Sequence, residues 1–192
     1  MRTIISRIFA VSAAACLCLF TTVHADESAA ASAKEAQVKI AFLFNFIKFT
    51  QWPDLRSPTV SHKANMCILG DNPFGDMLHL LEHASSPEFT LEVNVNVRPA
   101  FIPQCHVLFV AAADPEELHS ILAIAKKNAV LTVSELPGFA RDGGIVEMVK
   151  VEQSVGLFSK NKINLRINLR GAEEEGLHLD AQMLEIAAEV LK

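Results

Sequence analysis

The chain has 192 residues, with 17 Lys or Arg against 22 Asp or Glu and a net charge of −5. That length suits one domain, and an apolar content of 51% can fill its core. Without a basic stripe to neutralise phosphates, nucleic acid and anionic membrane surfaces are excluded as partners.

Residues 1–25 read as a secretory signal peptide. Arg2 and Arg7 open it, residues 8–20 are apolar, and Val23-His24-Ala25 places small residues at the cleavage position. The apolar run is shorter than the ~18–20 residues of a membrane-spanning helix. Ala13-Ala14-Ala15 before Cys16 loosely imitates a lipoprotein site, but the leucine usual three places before the cysteine is missing. The expected product is a single domain over residues 26–192, working outside the cytoplasm, where ATP, NAD and reduced thiols are absent. Cleavage would remove two basic residues and no acidic one, so the product is more acidic still.

Residues 26–32 are small and polar, and disorder is expected there. A helix fits residues 33–50, with apolar side chains nearly all round it. A helix apolar on all sides needs cover on all sides, and a domain's own sheet covers one. Phe42, Phe46 and Phe49 follow the i, i+4, i+7 rule, and Leu43 and Ile47 extend a second stripe. One of these stripes is expected across the two-fold axis of a homodimer; the alternative is a central helix buried in its own fold. Trp52-Pro53 stops the helix.

A short buried strand follows at residues 66–70, then a turn at Asp71-Asn72-Pro73 and a helix with Phe74, Met77, Leu78 and Leu81 on its core side. Leu91, Val93, Val95 and Val97 alternate with polar residues as a half-buried strand. Residues 106–111 form an apolar run suited to the middle of a parallel sheet. Asp114-Pro115-Glu116 opens a helix to about Lys127, and residues 130–133 give another strand. Beyond Asp142-Gly143-Gly144, residues 145–151 and 163–167 read as strands connected near Gly156. A last helix is expected at residues 181–191, capped by Asp180. The pattern predicts an α/β fold, one layered domain with a mainly parallel sheet flanked by helices and antiparallel C-terminal strands.

Cys16 and Cys18 leave with the signal, so Cys67 and Cys105 remain. In an oxidising compartment two cysteines pair, and both fall at the same end of two strands; a free buried pair is the alternative. No cofactor is expected. His79-Leu80-Leu81-Glu82-His83 reads H-x-x-E-H, an order used by zinc peptidases. His79, Glu82 and His83 lie opposite the apolar stripe, and neither a third ligand nor a cleft is evident, so no metal is expected. Residues 70–75 lack G-x-G-x-x-G, Ser134 has no evident base, and no catalytic set emerges. A binding or regulatory protein is the better reading.

Several segments taken together carry a resemblance: V-K-I-A-F-L-F-N-F-I-K-F-T-Q-W-P (38–53), C-I-L-G-D-N-P-F-G (67–75), C-H-V-L-F-V (105–110), L-T-V-S-E (131–135), F-A-R-D-G-G-I-V (139–146), L-R-I-N (165–168) and G-L-H-L-D-A-Q-M-L-E-I-A (176–187). In that order the chain resembles the YfiR family of periplasmic bacterial proteins. The resemblance implies a repressor of a membrane-bound diguanylate cyclase that binds the cyclase's periplasmic sensor region. An OmpA-like outer-membrane lipoprotein would draw it away, raising cyclic-di-GMP and biofilm formation. It also implies a compact α/β fold that dimerises and a disulfide at Cys67 and Cys105. The second disulfide of some members has no cysteines here, and residues 153–161 exceed the usual connection.

Trp52, Arg166, Arg170 and His178 are the candidate partner-binding residues, because aromatic and arginine side chains dominate interface energetics. The alternative places Trp52 in the core and leaves the arginines solvated. A second functional reading is a periplasmic small-molecule-binding protein, with its crevice beyond the strand ends near Gly70 to Pro73 and Ala112.

Overall fold

The computed structural model describes residues 22–82, 86–155 and 158–192. Strand β1 is Thr50–Gln51, β2 Lys63–Leu69, β3 Thr90–Asn94, β4 Val107–Val110, β5 Leu131–Ser134, β6 Val146–Val155, β7 Phe158–Asn168, β8 His178–Leu179 and β9 Glu189–Leu191. Among the described residues seven strands form one sheet in the order β3-β2-β4-β5-β6-β7-β9, while β1 and β8 pair separately. The first five of these strands run parallel; β7 is antiparallel to β6, and β9 is parallel to β7.

Alternation along each central strand feeds two cores. Met66, Ile68, Val107 and Phe109 face the helix α1 (Thr22–Lys48), along with Phe74, Leu78 and Leu81. Cys67, Leu69, Leu108 and Val110 face the helix Pro115–Lys127 through Leu118, Ile121, Leu122 and Ala125. Every residue of β4 and β5 is buried: β4 is a continuous apolar run, as suits a strand covered on both faces, while in β5 Thr132 accepts from the Ile145 N–H and Ser134 donates to the Val110 carbonyl. The helix Pro115–Lys127 has the bounds its local signals predict. The Asp114 carboxylate accepts from the N–H groups of Glu116 and Glu117, and Lys126 and Lys127 complement the dipole at its far end.

Four expectations are corrected. Residues 26–32 are helical, because the alanine-rich stretch loses little side-chain entropy on joining α1. Cleavage after Ala25 would remove only the helix's first turn; residues 1–21 lie outside the described residues. The strand at Leu91 ends at Asn94: Asn96 turns the chain with a φ of 52°, and Val95 is left exposed. The hairpin is longer than expected, with β6 and β7 in register from Val146–Ile167 to Val155–Phe158; its connection falls at residues 156–157, outside the described residues. The last helix stops at Glu185, and residues 189–191 pair with β7 instead. Here the open edge of β7 and the arginines that grip Glu189 outweigh helical spacing.

Leu43, Phe46 and Ile47 are buried in the chain's own core, at 0%, 1% and 2% exposure. The second stripe and the middle of the first therefore meet the sheet rather than a second chain. Phe42, Phe44 and Phe49 stay half-buried at the core's margin. Ion pairs seat the earlier part of α1. Buried Lys39 bridges Glu35 and Glu135 at 2.6 Å each, and Glu35 also meets Lys150 at 2.7 Å.

Candidate functional site

The disulfide Cys67–Cys105 is formed, and both residues are fully buried. It ties β2 to the 3-10 turn Pro99–Gln104 that leads into β4. The neighbouring segment is bound to the same place by polar contacts. Arg56 donates from Nη1 to the Pro103 carbonyl at 2.6 Å and from Nη2 to the Cys105 carbonyl. His106 Nδ1 accepts from the Asn65 N–H at 2.9 Å, which makes Nε2 the donor to the Arg56 carbonyl at 3.0 Å. Burial, then the nearby Arg56 charge, lowers the His106 pKa from 6.5 to about 4, so the ring is neutral. Burial also lowers the Arg56 pKa.

Trp52 packs edge-on against His106, with ring centroids 5.8 Å apart. It is 7% exposed and belongs to the core, so the expectation of a contact residue there is corrected. Its indole nitrogen has no hydrogen-bond partner among the described residues.

The consequence lies at the surface. The 3-10 turn Asp54–Arg56 is fastened at Trp52 on one side and at Arg56 on the other, and Leu55 projects from it fully exposed. Val60, on the short helix Pro58–Ser61, is 69% exposed. His178 joins this face through β8, which pairs Gln51 with His178, and it is exposed. The left-handed Gly176 lies so close to Pro53 that a Cβ there would come within 3.4 Å of the proline ring. Leu55 therefore contributes no burial to the fold, and with Val60 it leaves apolar surface in water; such surface marks a contact only where it forms part of a patch.

The other sequence candidates lie elsewhere. Arg166 is partly buried and clamped between Glu147 at 2.6 Å and Glu189 at 2.5 Å, a structural position rather than a contact surface. Glu147 also accepts from the N–H groups of Gly138 and Ala140, fixing the loop before β6. Arg170 is exposed and pairs with Glu174 at 3.2 Å. The strand ends at Gly70 and Ala111–Ala112 pack against each other, a Cβ at Gly70 falling 3.5 Å from Ala111. His79 is exposed, and His83 lies outside the described residues. Among the described residues no three His, Cys, Asp or Glu side chains could hold a metal ion, and no helix is long and apolar enough to cross a membrane. Ser134 is buried, donating to the Val110 carbonyl at 2.7 Å and accepting from the Leu136 N–H at 3.1 Å.

A family model described as YfiR/HmsC-like matches residues 36–188. The chain belongs to the YfiR/HmsC-like family. Proteins of this family are periplasmic and regulatory. Comparison with curated proteins gives no match. A solved structure of a conserved domain protein from Vibrio cholerae aligns at 12% identity with a TM-score of 0.45, over 67% of this chain and 54% of that one. An ABC domain from Streptococcus pneumonia, solved in complex with L-Trp, aligns at 11% identity with a TM-score of 0.47, over 81% of this chain and 60% of that one. The chain thus spans little more than half the length of either, and neither bears on what it does.

Proposed function

We propose that this protein represses a membrane-bound diguanylate cyclase by contact with the cyclase's periplasmic sensor region, lowering cyclic-di-GMP and biofilm formation. An OmpA-like outer-membrane lipoprotein is its proposed antagonist. Family membership over residues 36–188 supports the reading. The observation that carries the contact mode is Leu55, wholly exposed on a turn pinned beside the disulfide. Val60 and His178 extend the proposed face, and Arg170 remains a candidate outside it. A homodimer is part of the same proposal, with Phe42 and Phe49 at its interface.

Deleting the gene should raise cyclic-di-GMP and surface attachment in the native host. Leu55→Asp, expressed at the normal level, should behave like the deletion, because a charged tip cannot be desolvated against an apolar partner. Unchanged cyclic-di-GMP in the deletion strain under several growth conditions would defeat the repressor reading. Full function of Leu55→Asp would defeat the proposed contact face alone.

A further inference from the structure

A cavity of about 550 Å³ opens between the helix Pro115–Lys127, the loop before β6 and the helix Leu169–Glu174. It lies within the volume range of small-molecule sites. Four cationic side chains line it, Lys126, Arg141, Arg170 and Lys192, against three carboxylates, Asp142, Glu174 and Glu175. Two of them share one carboxylate: Glu174 meets Lys126 at 2.8 Å and Arg170 at 3.2 Å. Arg141 turns to Glu189 at 3.2 Å. These pairs are solvent-exposed, and exposed pairs add little to stability, so an incoming anion can replace them at little cost.

The walls are fixed in advance. Asn168 donates from Nδ2 to the carbonyls of Ala140 at 3.1 Å and Gly144 at 3.2 Å, and its Oδ1 accepts from the Gly171 N–H at 2.9 Å. One side chain thus staples the loop to the helix. A Cβ at Gly171 would fall 2.7 Å from that amide, and one at Gly144 would fall 2.1 Å from the Phe139 ring, so both glycines are needed for the walls to close. Glu175, also lining the cavity, has one carboxyl oxygen buried with no partner among the described residues. A ligand hydroxyl or a bound water could donate to it.

We propose that this cavity is an effector site for a small multivalent oxyanion, a polycarboxylate or a phosphate compound. Arg170 and Lys126 would supply the first contacts, and Arg141 and Lys192 would close around the ligand. The site stands apart from the Leu55 face, and the proposal does not depend on the cyclase reading.

Isothermal titration of the purified protein with sulfate, inorganic phosphate and citrate, at constant ionic strength in chloride buffer, tests it. At least one probe should bind saturably with one equivalent per chain. Citrate ahead of phosphate identifies the polycarboxylate source, and the reverse order identifies the phosphate source. Lys126→Ala with Arg170→Ala should weaken binding at least tenfold, whereas Lys63→Ala, on β2 and outside the cavity lining, should leave it unchanged. Both cavity cations are more than half exposed, so the double variant should fold, and Arg141→Glu supplies an independent test if it does not. No saturable binding by any probe overturns the proposal. So does binding that survives these cavity substitutions.

Discussion

Replacing Glu175 by glutamine should unmask a pH dependence that the wild-type chain hides. Burial is the main cause that lifts the Glu175 carboxyl from its ordinary 4.5 to about 7; Glu174 adds to the rise and Lys126 opposes it. A raised carboxyl pKa means that the folded chain holds a proton the unfolded chain releases. Stability from this group is therefore present below about pH 4.5 and lost as pH rises to about 7. At 1.36 kcal/mol per pH unit the loss is at most about 3 kcal/mol, and partial solvent screening brings it to roughly 1–2 kcal/mol. His106 works in the opposite sense. Its pKa falls from 6.5 to about 4, so its contribution is present above about 6.5 and lost as pH falls to about 4. The two windows overlap with opposite signs, so together they leave the wild type nearly flat between about pH 4.5 and 7. Urea unfolding followed by the fluorescence of the single tryptophan, Trp52, reads this directly. Glu175→Gln should match the wild type near pH 4.5, gain steadily, and exceed it by roughly 1–2 kcal/mol near pH 8. A difference that stays constant across this range would show that Glu175 does not titrate as argued.

Cys67→Ser opens a covalent link spanning 38 residues and should cost on the order of 2–4 kcal/mol, seen as a lower urea midpoint and reduced periplasmic abundance. Recovery of both cysteines as free thiols from protein made in the periplasm would contradict the bond itself. Lys39→Ala leaves Glu35 and Glu135 facing each other without their shared cation and should destabilise by about 1–3 kcal/mol, while exposed Lys63→Ala should change stability by less than about 0.5 kcal/mol. Phe42→Glu with Phe49→Glu should convert the proposed dimer to a folded monomer by light scattering; a wild-type monomer at tens of micromolar would remove the dimer from the account.

Local signals were legible in the sequence, and tertiary ones were not. Asp114-Pro115-Glu116 carries a cap, a first-turn proline and a complementary charge within three residues, so the helix Pro115–Lys127 could be read directly. The run that became β4 announced its burial on both faces through continuous apolar composition. Residues 186–191 misled because Glu189 is recruited by Arg141 and Arg166 from distant segments. In α1 the apolar residues could not reveal which side meets the sheet, and Leu43, Phe46 and Ile47 proved internal. The cysteine pair followed from compartment and count. Trp52 misled because its position just past a helix end concealed the pocket formed with His106. Leu55 was missed, although a lone leucine between Pro53 and Pro58 in a polar turn was the available signal. Arg56 and Glu175 gave none, since their roles rest on neighbours about fifty residues away or on burial alone.

The central claim, contact through the Leu55 face, is tested most directly by a photo-crosslinking residue placed at position 55 in cells of the native host. Val95, exposed just beyond the edge strand β3, serves as the control position. Mass spectrometry of the products should find a membrane protein bearing a diguanylate cyclase domain attached at position 55 and absent at position 95. Crosslinks at position 55 that reach only a second copy of this chain, or the same products from both positions, would contradict the account.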